Sequence, residues 1–104
     1  MCITDAEYFK AQIKDELCGS KDYIKRAIEL KPMDVQWSKV FVEMSAAEMD
    51  HATNLYKLFM DYYKILSEKY SEMPTYIDEI KSDIIDMYSE MTLEIKNMHE
   101  MHKK

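Results

Sequence analysis

Along two long stretches of this 104-residue chain, mainly apolar residues recur at intervals that alternate between four and three residues, and each series forms a stripe. The first stripe consists of Trp37, Phe41, Met44, Glu48, His51, Leu55, Leu58, Tyr62 and Ile65. The second consists of Ile77, Ile80, Ile84, Met87, Met91, Glu94, Met98 and Met101. A spacing of about 3.5 residues is typical of α-helices that pack along a seam. The pattern therefore predicts long helices that face other helices, and no stretch shows the alternation of a β-strand.

Two prolines mark the breaks between the predicted helices. Proline disfavours a helical residue before it, so Pro32 ends the first helix and Pro74 ends the second. Asp5 is the expected N-cap of the first helix, and Thr75 with Asp78 resembles a capping box at the start of the third. The predicted helices span residues 5–30, 34–70 and 75–102.

The first helix carries a stripe of its own, formed by Phe9, Ile13, Glu16, Ser20, Tyr23, Ala27 and Leu30. With one glycine and two prolines, the chain has few residues that favour turns. We therefore expect an all-α fold in which residues 1–104 form a single domain of three long antiparallel helices with short connections. The core of so short a chain is small, which makes oligomerisation an expected source of further burial.

Composition and charge exclude several classes of partner. The formal net charge is −6 and Arg26 is the single arginine, whereas phosphate recognition favours arginine and positive charge. Nucleic acid is therefore not an expected partner. No stretch approaches the roughly 18 uninterrupted apolar residues of a membrane span, and the N-terminus lacks the basic start and apolar run of a signal peptide. Cys2 and Cys18 make no disulfide framework, so a cytoplasmic protein with reduced thiols is expected.

Polar residues interrupt all three stripes. Glu16 lies fourteen residues before the predicted end of the first helix, and Glu48 lies fourteen residues after the start of the second. An antiparallel pair brings them to one height, about 21 Å from the turn at about 1.5 Å per residue. His51 and Glu94 lie nineteen residues on either side of the second turn. Because an unpaired buried carboxylate costs several kcal/mol, we expect the four side chains to converge on one layer and share a partner.

Carboxylates and an imidazole inside an apolar bundle are suited to a divalent cation. Glu48 and His51 form a Glu-x-x-His motif, which places both side chains on one helical face about one turn apart. This motif occurs in di-iron and di-manganese carboxylate bundles, together with glutamates from neighbouring helices. The ligand types are compatible with iron, manganese or zinc and argue against Cu(I).

These residues resemble the ferritin-like superfamily, and rubrerythrin most closely. The segment FVEMSAAEMDHATNL, from Phe41 to Leu55, is similar to the second helix of rubrerythrin. Tyr23, seven residues after Glu16, is similar to a tyrosine beside the first-helix ligand of ferritins and rubrerythrins. The resemblance implies that Glu16 and a bridging Glu48 bind iron through oxygen, that His51 binds through nitrogen, and that Tyr23 acts beside them.

The chain departs from that family in the number of its helices. A complete ferritin-like bundle has four, with a second Glu-x-x-His on the last, whereas here Glu94 is followed by Asn97 at the histidine position. Two copies of the chain would together offer four glutamates and two histidines from the first two helices. This resembles the encapsulated ferritins, whose half-length chains complete the site between subunits. The implied structure is a ferritin-like half bundle completed by a homodimer or larger homo-oligomer, with Glu94 as an extra ligand or a hydrogen-bond acceptor.

The resemblance implies a di-iron protein that oxidises Fe(II) or reduces peroxide. No segment with four cysteine ligands is present to supply the electron path of a complete rubrerythrin. One alternative is a metal-free helical interaction module that keeps a vestigial ferritin-like core, and another is a structural zinc site. The methionines of the third helix lie at core spacing, which favours packing over copper binding. His99 and His102 are expected to belong to a frayed end.

Overall fold

The computed structural model describes residues 5–104, and these form three α-helices and no strand. The helices are α1 (Asp5–Leu30), α2 (Val35–Lys69) and α3 (Thr75–Lys103). The predicted all-α arrangement of three helices is confirmed. The signal-peptide prediction depends on the first residues of the chain, and these, with Cys2, lie outside the described part. Cys18 is a free, half-buried thiol. No helix of residues 5–104 is long and apolar enough to cross a bilayer.

The two turns form where the prolines predict them, but their caps differ. The Asp34 carboxylate accepts a hydrogen bond of 3.0 Å from the Trp37 backbone N–H and so caps α2. The capping box predicted at the start of α3 does not form, because Pro74 occupies the cap position and offers no side-chain acceptor. The Asp78 carboxylate instead accepts a hydrogen bond of 2.6 Å from the Tyr63 hydroxyl of α2.

The three helices run up, down and up, with α1 packed against both of the others. The Lys10–Asp83 and Lys21–Glu94 ion pairs join α1 to α3 in parallel register, while Ser20 faces Ser45 on antiparallel α2. The backbones of α2 and α3 lie farther apart, and these helices meet mainly through side chains. The molecule measures 57 × 19 × 15 Å.

The core changes character along the length of the molecule. One end is filled by large side chains, including Phe9, Phe59 and Tyr62, whose ring centroids lie 5.4 to 6.0 Å apart. Towards the α1–α2 turn most of the fully buried positions are small, with Ile24 as a large exception, and Ser20, Ala27, Ser38, Ser45 and Ala52 occupy them. Small residues allow α1 and α2 to approach closely at this end.

The buried face of α2 lies beside the predicted stripe. Ser38, Ser45, Ala52, Phe59 and Leu66 are the buried series, spaced seven residues apart. Trp37 and Leu58 of the predicted stripe are instead 62% and 51% exposed. The predicted heptad period of α2 is correct, but its buried face is displaced from the predicted stripe by one residue. The reason is that α1 and α3 pack mainly against the side of the stripe. Within the stripe, Tyr62 is fully buried and Leu55 packs against the core, whereas no element of residues 5–104 covers Trp37, Met44, Leu58 and Ile65.

The buried face of α3 departs from the predicted heptad beyond Ile84. An α-helix has about 3.6 residues per turn, so a strict 3.5-residue series drifts by about 20° per heptad in a straight helix. Ile95 is therefore buried where Glu94 was predicted, and Met101 is 61% exposed. The same drift turns His99 and His102 inwards. The predicted frayed end is wrong, because both residues are helical and both imidazoles bond to serines of α2.

Candidate metal centre

Glu16, Glu48 and His51 form one group in the middle of the α1–α2 pair. Each offers one ligand atom, and the three atoms all lie within 4.8 Å of one another. The group forms because Glu48 and His51 lie one turn apart on α2 and the antiparallel α1 brings Glu16 to their height. The closest His51–Glu16 contact joins Nδ1 to Oε2 at 3.3 Å. Their role as metal ligands stays a prediction.

The group lies on an open face rather than inside the chain. The side chains of Glu16 and His51 are 24% and 59% exposed, and Glu48 is half-buried. Partly or largely exposed apolar residues surround them along α2, among them Phe41, Met44 and Leu55. Glu48 and His51 thus lie in the middle of the α2 stripe, at a stretch that residues 5–104 leave largely open, and Glu16 lies beside them on α1.

The Glu48 carboxyl lies against the Glu16 carboxylate. A hydrogen bond with Glu16 raises the pKa of the Glu48 carboxyl, and burial and the negative charge of Glu16 raise it further, while the charge of His51 lowers it. A negative charge held this close disfavours the ionised form of Glu48. A cation placed between the two side chains would relieve this repulsion.

Gly19 is the residue of this site that the sequence pattern did not reveal. A Cβ atom at Gly19 would lie 3.2 Å from Oε2 of Glu48, so the absence of a side chain leaves room for that carboxylate. Glycine within a helix destabilises it by about 1 kcal/mol relative to alanine. The sequence contains one indication of this residue, because Gly19 is the only glycine of the chain and lies three residues after Glu16.

Tyr23 and Glu94, the other two predicted site residues, lie apart from the group. The Tyr23 ring contacts Phe41, with ring centroids 5.9 Å apart, and within residues 5–104 no hydrogen bond links it to the three ligands. The Glu94 carboxylate pairs with Lys21 at 2.8 Å on the exposed α1–α3 side. The drift of α3 turns Glu94 away from the layer, so the structure brings together three of the four predicted ligands.

The arrangement can chemically hold a divalent cation with two carboxylates and one imidazole. These ligand types suit iron, manganese or zinc. Comparison of the chain with protein-family models, curated proteins and solved structures gave no match. The resemblance to rubrerythrin therefore rests on the residues quoted above and on the group that they form.

Proposed function

We propose that this chain is a ferritin-like di-iron carboxylate protein that binds and oxidises Fe(II) at a centre shared between two copies. The observation that carries the proposal is the convergence of Glu16, Glu48 and His51 within 4.8 Å on an uncovered apolar face. Peroxide reduction is the related activity that the same ligand set would support.

The ligand count supports a shared centre. One chain supplies two carboxylates and one imidazole to the group, which is too few to hold two metal ions. Two chains supply four carboxylates and two imidazoles, which is the ligand number of di-iron carboxylate bundles. Glu94 is not needed for this set.

The spacing of the stripe on α2 supports a twofold pair. From the midpoint between Glu48 and His51, successive residues of the stripe are separated by the same intervals of four and three residues towards either end of α2. Two antiparallel copies of α2 centred on that midpoint would place Glu48 opposite the partner's His51 and Met44 opposite the partner's Leu55. The same register would place Phe41 opposite the partner's Leu58. A self-complementary surface is what a twofold interface requires.

Charge and polarity on the flanks of α2 are compatible with this register. Glu43 would lie near the partner's Lys57, and each pair of copies would make that contact twice. The exposed apolar residues of the stripe would be removed from water, and each fully buried large side chain contributes about 1.5–3 kcal/mol. The largest gain would come from Trp37, Leu58 and Ile65, which are the most exposed apolar residues of the stripe.

Within the centre, this chain's residues would neutralise, orient and shield the metal. Glu16 and Glu48 would hold the ions through oxygen, and His51 would contribute a neutral nitrogen. Bound iron would supply electrons and Lewis acidity for reaction with oxygen or peroxide. The aromatic pair of Tyr23 and Phe41 would cover the turn next to the ligands, and Gly19 would leave space for the Glu48 carboxylate.

One observation favours a metal-free helical interaction module. The Glu16 side chain contacts both Glu48 and His51, so the polar groups already have partners within the chain. Such a layer would fix the register of two paired copies, as buried polar residues do in coiled coils.

Replacing Glu48 and His51 together by leucine distinguishes the metal-free module from the metal protein. In a metal-free module the double variant is more stable and still assembles, whereas in a metal protein it loses stabilisation by metal.

Anaerobic loading with Fe(II), followed by metal analysis and light scattering of the same sample, tests the proposal. We expect about one iron ion per chain and the mass of a dimer or larger assembly, as for a two-metal centre shared by two copies. Glu48→Gln should abolish the binding, whereas Glu90→Gln, which removes the same charge elsewhere, should leave it unchanged. A well-folded wild-type chain that retains no iron would overturn the di-iron proposal. Tight zinc binding without oxygen consumption would indicate a structural zinc site instead.

A further inference from the structure

Two histidines of α3 bond to two buried serines of α2 at the end of the molecule nearest the α1–α2 turn. Nε2 of His99 lies 2.9 Å from Oγ of Ser45, and Nε2 of His102 lies 2.7 Å from Oγ of Ser38. Both serines are fully buried, and both imidazoles are partly buried. These contacts lie away from the candidate metal centre and do not depend on its function.

The serine hydroxyls determine which imidazole nitrogen carries the proton. Ser38 donates to the Ala27 carbonyl at 2.6 Å, and Ser45 donates to the Ser20 carbonyl at 2.7 Å. A hydroxyl has one proton, so each serine can only accept from its histidine. Nε2 of both histidines is therefore protonated, and within residues 5–104 neither Nδ1 has a hydrogen-bond partner.

These bonds fasten α3 to the α1–α2 pair where little else does. Apart from Ile24 and Ile95, the buried residues beside them are small, and none is aromatic as at the other end of the core. The Lys31 ammonium, in the turn after α1, adds one bond to the His102 carbonyl. The backbones of α2 and α3 hardly approach each other, so side-chain bonds carry this contact.

Positive charge already concentrates at this end. The charged groups around the two imidazoles are Lys31 in the turn after α1, Asp50 on α2 and Lys96 on α3 beside the groove that His99 lines, and Glu100 and Lys103 on α3, with Lys104 following. The Lys21–Glu94 pair lies further along the α1–α3 contact. A proton added to either imidazole would meet more like charge than opposite charge.

We propose that His99 and His102 form an acid-sensitive latch that holds the C-terminal turns of α3 against α1 and α2 and releases them on protonation. The added proton goes to Nδ1, which has no hydrogen-bond acceptor among residues 5–104 in the closed form, so the new charge is held beside buried serines without a partner of its own. Burial lowers the pKa of both histidines, and the positive charges of His102 and Lys103 around His99, and of Lys31 beside His102, lower them further. The closed form is therefore the neutral form.

Amide hydrogen exchange of residues 92–103, corrected for intrinsic rates, tests the latch. From about pH 7.5 to about pH 5.5, which brackets the usual histidine pKa, we expect opening of these turns to increase about tenfold, with little change in the Phe9–Phe59 end of the core. The variant His99→Gln/His102→Gln keeps an amide donor for each serine but cannot titrate, and its exchange should not respond to acid. His51→Gln removes the remaining histidine of the chain and should respond as the wild type does.

Nitrogen NMR of the imidazoles gives a second readout that does not depend on any variant. We expect the Nε2–H tautomer for His99 and His102 at neutral pH. Equal acid response in the wild type and the double glutamine variant would overturn the latch. So would the Nδ1–H tautomer, or wild-type exchange that does not change over this pH range.

Discussion

At the scale of single residues, the most informative position is one that has no side chain. Gly19 lies inside α1, where alanine would be more favourable, and its missing Cβ faces the Glu48 carboxylate at 3.2 Å. A stability loss in the helix thus coincides with space for a candidate ligand. The predicted ligands could be found by their residue types, but this glycine needed the packed structure, because only the register of α1 on α2 shows what faces it.

Gly19→Ala measures the opposition between helix stability, which favours alanine, and space for the Glu48 carboxylate, which favours glycine. In a Glu48→Ala background, alanine should increase the free energy of unfolding by about 1 kcal/mol, the ordinary helix preference. In the wild-type background the increase should be smaller, because the Glu48 carboxylate must move. Urea unfolding of the four proteins of this cycle gives both values. Equal increases in the two backgrounds would mean that Gly19 leaves no space that Glu48 needs.

At the scale of elements, α2 has two differently used faces. Its buried series packs against α1, whereas most of its stripe, including Trp37, Leu58 and Ile65 but not the buried Tyr62, faces outwards. The heptad period could be read from the sequence, and the helix bounds agree with the predicted ones within one residue. Which face of α2 is buried could not be predicted from the sequence, because the choice between neighbouring stripes depends on how α1 and α3 are oriented against α2.

Met44→Ala with Leu58→Ala tests the outward face of α2. These exposed side chains contribute little to packing within one chain, so helicity should be retained. If the stripe pairs two copies, the double variant should shift the assembly towards monomer by about tenfold or more in dissociation constant. Sedimentation equilibrium measures the shift, and Leu93→Ala, which removes an exposed leucine of α3, is the matched control. Unchanged association would contradict pairing through this stripe.

At the scale of the whole molecule, the contrast between an apolar end and a serine–histidine end predicts a dependence of stability on pH. The lowered pKa of His99 and His102 means that the unfolded chain binds more protons below about pH 6.5. The histidine contribution is therefore complete above that pH and is lost as the pH falls through it. The raised pKa of Glu48 acts in the opposite direction as the pH increases above about 4.5.

Urea midpoints at about pH 7.5, 6.5 and 5.5 separate these two effects. The wild type should lose stability across this range, and His99→Gln/His102→Gln should lose clearly less. A further midpoint at about pH 4.5, the ordinary glutamate pKa, addresses the carboxyl: as the pH falls towards this value, Glu48→Gln should lose more stability than the wild type, since the opposing carboxyl is gone. A double glutamine variant that follows the wild-type curve would show that other groups cause the dependence.

The open position of the Glu16–Glu48–His51 group also determines how substrates would reach Glu48. The side chains of Glu16 and His51 are 24% and 59% exposed, and Glu48 is half-buried. The group therefore opens directly on the surface of the helix pair, so Fe(II) and dioxygen would need neither a tunnel nor a moving lid to arrive. Depth within this chain cannot isolate a reacting metal from bulk water. Whatever isolation the chemistry requires would have to come from a surface laid over the stripe of α2.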